Sequence, residues 1–184
     1  MPDSDQIIRP AREVAQRCLV LYGVVAVAHQ ESRDHIISWL KIEELWKAVS
    51  PHEKAFLTNP SPSKQDIINA GWRAEALWVL LWALGAIENL DIPEEMCDLS
   101  MIHTIFQGCE DSTSEFINDA RLRRDEEIFS KEFEVYDNHW MVRDAELYGK
   151  EPPKGINPDI IQERHYALNW LTYDVDWDDV TTDT

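Results

Sequence analysis

The stretch Ala76-Leu77-Trp78-Val79-Leu80-Leu81-Trp82-Ala83-Leu84 is apolar at nine consecutive positions. It continues a segment whose apolar residues return at three- and four-residue steps, so it reads as the second half of a helix with no polar face. Such a helix needs neighbours on every side, and the rest of the chain must supply them. The same helical period dominates elsewhere and strict alternation is scarce, which predicts an all-α fold. One domain is expected, because 184 residues fall within the range of about 100–200 for a single unit. No repeat, low-complexity linker or break in composition divides them.

Start and stop signals predict a bundle of six to eight helices. The first should run from near Pro10 to about Ala28. Ser32 can cap a second that carries Ile36, Trp39 and Leu40 and continues through Leu45, Trp46 and Val49. Ser50-Pro51-His52-Glu53 has the form of a capping box with proline at the first helical position, and Asn59-Pro60-Ser61-Pro62 breaks the chain. Ser63 and Asp66 make a second box, opening the central apolar helix predicted over 64–88. Short helices are expected over 99–106 and 112–120 and a long amphipathic one over 125–148, stopped by Gly149 and the loop from Glu151 to Gly155. Asn157-Pro158 should open the last helix, which reaches about Leu171. The tail from Thr172 adds five acids and no base to this single domain, 1–184.

Charge is unevenly placed. Residues 1–90 carry 9 basic and 11 acidic side chains and residues 91–184 carry 8 and 24, so the second half holds −16 of the net −18. Phosphate backbones are bound by Lys and Arg that displace counterions, so this field argues against direct nucleic-acid binding and against anionic membranes. A basic protein partner suits it better. Three cysteines, Cys18, Cys97 and Cys109, form no C-x-x-C pair and no even framework. They fit a reducing compartment. Met1 to Gln6 holds acids where a secretory signal would hold bases, and the longest apolar run, Cys18 to Ala28, has 11 residues, short of the roughly 20 that span a bilayer. A cytoplasmic protein is expected.

Projected at about 100° per residue, three helices place charge where leucine is expected. On the last helix the stripe Ile160, Ile161, Ala167, Leu168 and Leu171 has Arg164 at its middle and His165 on its edge. On the long helix the stripe is read as Ile128, Phe129, Phe133, Tyr136, Trp140 and Leu147, with Arg143 inside it, one turn after His139 and three residues before Glu146. On the central helix Glu75 lies between Ile68, Val79 and Trp82. Unpaired buried charge costs several kcal/mol, so these residues must pair or line a solvated cleft. Glu75 and Glu146 are the natural partners of Arg143 and Arg164. The set Glu75, His139, Arg143, Glu146, Arg164 and His165 is therefore either a salt-bridge network that fixes packing or a pocket for an anionic or carboxylate ligand. Either histidine, or Glu75, could serve there as general acid or base.

No familiar catalytic signature stands in the sequence. The chain has no H-E-x-x-H, G-x-x-x-x-G-K-[ST], G-x-S-x-G or G-x-G-x-x-G. Asp174-Val175-Asp176-Trp177-Asp178 imitates the start of a calcium loop, but Asp179 stands where that loop requires glycine. No metal site and no cofactor is expected. Trp39, Trp46, Trp72, Trp78, Trp82 and Trp140 lie in or beside predicted apolar faces and read as core. Tyr166 and Trp170 lie opposite the last helix's stripe, so they contact another helix or form an exposed patch. With Asp174, Asp176, Asp178 and Asp179 they make a candidate partner surface.

Five ordered blocks carry a resemblance: Trp72-Arg73-Ala74-Glu75-Ala76-Leu77; Ala120-Arg121-Leu122-Arg123; His139-Trp140 with Arg143-Asp144-Ala145; Gln162-Glu163-Arg164-His165 through Ala167-Leu168-Asn169-Trp170-Leu171; and Trp177-Asp178-Asp179-Val180 ahead of Thr182-Asp183-Thr184. Together, from about Ile7 to the end, the chain resembles the bacterial domain of unknown function family 4272. The resemblance implies no activity. It places Glu75, His139, Arg143, Arg164 and His165 within the family's blocks and implies that the acidic C-terminal segment 172–184, with its Trp-Asp-Asp run, packs on the domain. Two functional readings stand. One is a non-enzymatic protein that binds a basic partner through its acidic second half, as an immunity or antitoxin-like protein would bind a toxin. The other is a small-molecule binder or hydrolase-like enzyme built on the Glu/Arg/His set.

Overall fold

A computed structural model describes residues 6–109 and 111–184. The start of the acidic stretch read against a secretory signal, residues 1–5, lies outside them. Both capping boxes form. Ser50 accepts from the Glu53 N–H and Glu53 from the Ser50 N–H, opening α3 (Pro51–Thr58) with proline in its first turn. Ser63 and Asp66 do the same for α4 (Lys64–Ala83). Asn157 caps α8 (Pro158–Thr172) by accepting from Asp159 and Ile160 N–H. The others are α1 (Ala11–Ala28), α2 (Arg33–Ile42), α5 (Leu99–Phe106), α6 (Ser114–Asn118) and α7 (Asp125–Leu147). These eight helices, without a strand among the described residues, make an all-α bundle in one domain.

Two predicted helices end early. Glu44 adopts a left-handed φ of 59° and stops α2 after Ile42, leaving Trp46–Ala48 as a single 3-10 turn. Gly85, at φ 76°, ends α4 well before 88. Its N–H donates to Trp82 O and the Ala86 N–H to Leu81 O, both at 2.9 Å, which is the paired bonding of a glycine-terminated helix. Leu90 and Ile87 still turn inward from the connection that follows.

α1 packs on α4, α4 on α8 and α8 on α7, so the long helices form a row with α4 and α8 inside it. α2, α3 and α6 close the far side of α1. Central placement explains the apolar run of α4: Leu77, Val79, Leu80, Leu81 and Ala83 are all fully buried. The segment after α8 folds back on the bundle. The Asn169 amide donates to Thr181 O at 2.8 Å, Trp177 is buried, and its ring stands edge-on to those of Tyr166 and Trp170.

Candidate functional site

Glu75 is the one charged residue in the buried half of α4, and α8 brings Arg164 to it. The Arg164 Nε–H donates to Glu75 Oε2 at 3.1 Å and its Nη1–H to Asp91 O at 2.7 Å, while the Cys97 N–H donates to Glu75 Oε1 at 2.6 Å. Both carboxylate oxygens are used, and the guanidinium reaches the connection between α4 and α5. The pair therefore ties that connection to the centre of the bundle. Both residues are buried, and among the described residues no buried side-chain nitrogen or oxygen lacks a partner. Burial pushes the Cys97 thiol well up, with Glu75 adding to the shift, and burial does the same to Cys18.

His139 of α7 and His165 of α8 meet across the next helix interface. Their Nδ1 atoms are 2.9 Å apart and both rings are buried. One Nδ1 must donate and the other accept, so the contact forbids the doubly protonated pair. Burial is the main force holding His165 down at about 4, followed by the charge of a protonated His139, against a hydrogen bond that the His165 ring donates to Asn169. His139 is held low by burial, then by Arg143, against Glu146. Tyr136 presents its ring edge-on to His165 at 5.6 Å. A polar cavity of about 330 Å³ adjoins His139, lined also by Arg143, Gln162 and Thr182 to Thr184. His165 takes no part in its lining.

Arg143 and Glu146 pair as expected, at 2.6 Å, but not in the core: the arginine side chain is 60% exposed. Apart from Ile128, the apolar stripe read for α7 lies off the buried face. Phe133, Trp140 and Leu147 are 68%, 46% and 78% exposed, and the buried positions are Ile128, Val135, His139, Val142 and Ala145. Both faces of this helix carry apolar residues, and size favoured the aromatic one. Packing favours the other, because small and β-branched residues let α7 settle closely on α8. Trp140 is accordingly not a core tryptophan.

The candidate partner surface around the C-terminal segment also changes. Trp170 is buried, and Tyr166 is half-buried with its hydroxyl donating to Trp177 O. Their rings alternate with arginines: Arg9 lies 4.4 Å over Trp170, Arg17 4.8 Å over Trp177 and Arg73 4.3 Å over Tyr166. Each contact is a cation–π pair, stronger where water is excluded. Arg17 is itself buried and bound to Glu53 at 2.8 Å, and Arg73 pairs with Glu163 at 3.1 Å. Asp178 accepts the His52 N–H at 2.8 Å and so adds to the capping of α3. Asp174, Asp176 and Asp179 remain exposed. Arg9, Arg17, Arg73 and Glu53 are not among the site residues that the sequence points to. Arg17 does carry a signal, standing among Val14, Ala15, Cys18 and Leu21, whereas Glu53 reads only as a cap.

Among the described residues, no group of three His, Cys, Asp or Glu side chains is placed to hold a metal ion, and no helix is long and apolar enough to cross a membrane. The family described as Domain of unknown function (DUF4272) matches residues 1–180, and the chain belongs to it. No curated protein and no solved structure matches it.

Proposed function

We propose that this member of the family is a non-enzymatic protein that binds a basic partner, docked as an amphipathic helix along the outward face of α7. One observation carries the reading: Phe133, Trp140 and Leu147 are exposed at seven-residue intervals, the spacing at which one helix presents a seam to another. Large exposed apolar side chains in a row on an otherwise charged helix mark an interaction surface, and aromatic residues supply most of the binding energy at such surfaces. Glu126 and Asp137 are exposed within about 40° of Phe133 around the helix. Asp144 lies on the same side and faces Lys150 at 3.7 Å. From Asp125 to Leu147 there are eight acids and two bases, so a second copy would set acids against acids, whereas a basic helix would be steered in and held.

An immunity or antitoxin-like role, in which the protein neutralises a basic toxin in the cytoplasm, is the specific form of this reading. The enzyme alternative is weakened because Glu75 and Arg164, the groups best suited to act on a ligand, are spent on each other and on backbone. The test is affinity capture from the native host with the wild type and with a Phe133→Ser/Trp140→Ser/Leu147→Ser variant of equal charge. A basic protein retained by the first and lost by the second is expected. Recovery of the same proteins by both, or of no basic protein by either, would defeat the proposal.

A further inference from the structure

A second cleft lies at the seam of α1, α2 and α5 and shares no lining residue with the α7 face. Its volume is about 360 Å³, within the size range of small-molecule sites. All three helices supply apolar wall residues, and histidines stand at the mouth: His35 from α2, His103 from α5 and His29 just after the end of α1. The walls are Val25 and Ala26 from α1, Ile36 and Trp39 from α2, and Ile102 from α5. The mouth carries His29, His35 and His103, all exposed, together with Glu31. Three of the six histidines in the chain thus surround one apolar cleft.

The walls are held in place. The Trp39 indole N–H donates to Cys109 O at 3.2 Å, fixing the ring plane. Tyr22 stands edge-on to Trp39 and packs against buried Phe106 at 4.6 Å with the rings tilted by 32°. Its hydroxyl lies 3.2 Å from His103 Nδ1, so the remaining polar atom of that imidazole is Nε2. α2 comes close to α1 because position 23 is glycine: a Cβ there would meet Ile36 Cγ2 at 3.0 Å. The cleft is a pre-formed apolar slot with hydrogen-bonding rings only at its mouth.

We infer that this cleft binds a neutral aromatic molecule of one or two rings that carries a single hydroxyl or carbonyl group. The aromatic body is called for by the Trp39 and Tyr22 rings and the aliphatic wall opposite, which offer ring contacts and no buried polar atom to satisfy. The polar group belongs at the mouth, where an imidazole both donates and accepts. Neutrality follows from charge. Glu31 shares the mouth and the whole chain carries −18, which repels an anion, and a charge of either sign would give up water beside walls that hold no ion partner.

Isothermal titration of the full chain with 2-naphthol, 2-naphthoate and 2-naphthylmethylammonium tests this directly. Saturable one-site binding of 2-naphthol is expected, with both charged analogues at least about tenfold weaker. Ala26→Phe should fill the slot and abolish binding, and Leu99→Trp, at another lining position, should repeat the block from α5 if the first variant folds poorly. His103→Ala should weaken 2-naphthol by about five- to tenfold, the value of one hydrogen bond, without moving the melting temperature. The inference is overturned if 2-naphthol fails to saturate at millimolar concentration, if either charged analogue binds as tightly, or if both filling variants fold and bind as the wild type does. None of these outcomes bears on partner binding at α7, so the two proposals fail separately.

Discussion

Arg164 and Arg143 stand on neighbouring helices, each read from the sequence as a charge on an apolar face, and each found its predicted class of partner. They live in different physics. Arg164 is buried, and every polar atom it meets is matched by Glu75 or by the connection after α4. Arg143 meets Glu146 at a shorter distance than Arg164 meets Glu75, 2.6 against 3.1 Å, yet in water. Distance does not decide what an ion pair contributes. Burial does, because a charge stranded away from water has no substitute partner, whereas one at the surface is rehydrated at little cost.

The sharpest way to break the comparison is Arg164→Ala. It strands the Glu75 carboxylate among apolar helices and should destabilise the fold by about 3–5 kcal/mol, read as a lowered midpoint in urea unfolding. Unchanged unfolding would show that the cluster is solvated and return it to the status of a ligand pocket. The two faces of α7 supply the next contrast. Ile128→Ala, at a fully buried position, should cost about 2–5 kcal/mol. Phe133→Ala, at a mostly exposed one, should stay within about 0.5 kcal/mol despite removing the larger side chain. Equal losses would mean that the outward face is covered in the free protein.

The histidine pair lies between these extremes, since its groups are buried but neutral. In the folded state His165 is depressed from 6.5 to about 4, by burial first, and His139 is depressed too. Between those values the unfolded chain binds more protons than the folded one, so this contribution is present above about pH 6.5 and lost as pH falls towards 4. Melting temperature should therefore drop by on the order of 5 °C across that window. A His139→Leu/His165→Leu variant, whose carboxylates titrate as before, should show a smaller drop. Identical pH profiles for the two proteins would refute the linkage.

Most of the architecture was legible because helix boundaries are local events. Ser50 with Glu53, Ser63 with Asp66 and Asn157 with Pro158 announce their helices by side-chain bonds spanning three residues or fewer. Gly85 announced an ending too, although the apolar residues beyond it masked the signal. Facing was legible where one face is clearly the more aliphatic. Arg164 sits among Ile160, Ile161, Ala167 and Leu168, and that face is buried, although the far side of the helix is covered too, at Trp170. α7 had two apolar faces, and the choice between them depended on how closely it could approach α8, a property of two helices together. Trp170 was obscure for a related reason. Its cover is Arg9 and Trp177, which arrive from both ends of the chain.

Arg143→Ala gives the smallest expected effect and the most exacting one. Its ion pair is exposed, so at neutral pH stability should change by no more than about 0.5 kcal/mol, and less at high salt. The same guanidinium helps to hold His139 down, second only to burial, while Glu146 pulls the other way. Removing it leaves Glu146 unopposed, so the His139 titration followed by NMR should move upward although the fold does not. That outcome separates the two helices cleanly: Arg164 acts on folding through a bond it alone can make, and Arg143 acts on a buried neighbour through its field. A variant that melted several degrees lower with His139 unmoved would place Arg143 in the packed core after all, as its position in the sequence first suggested.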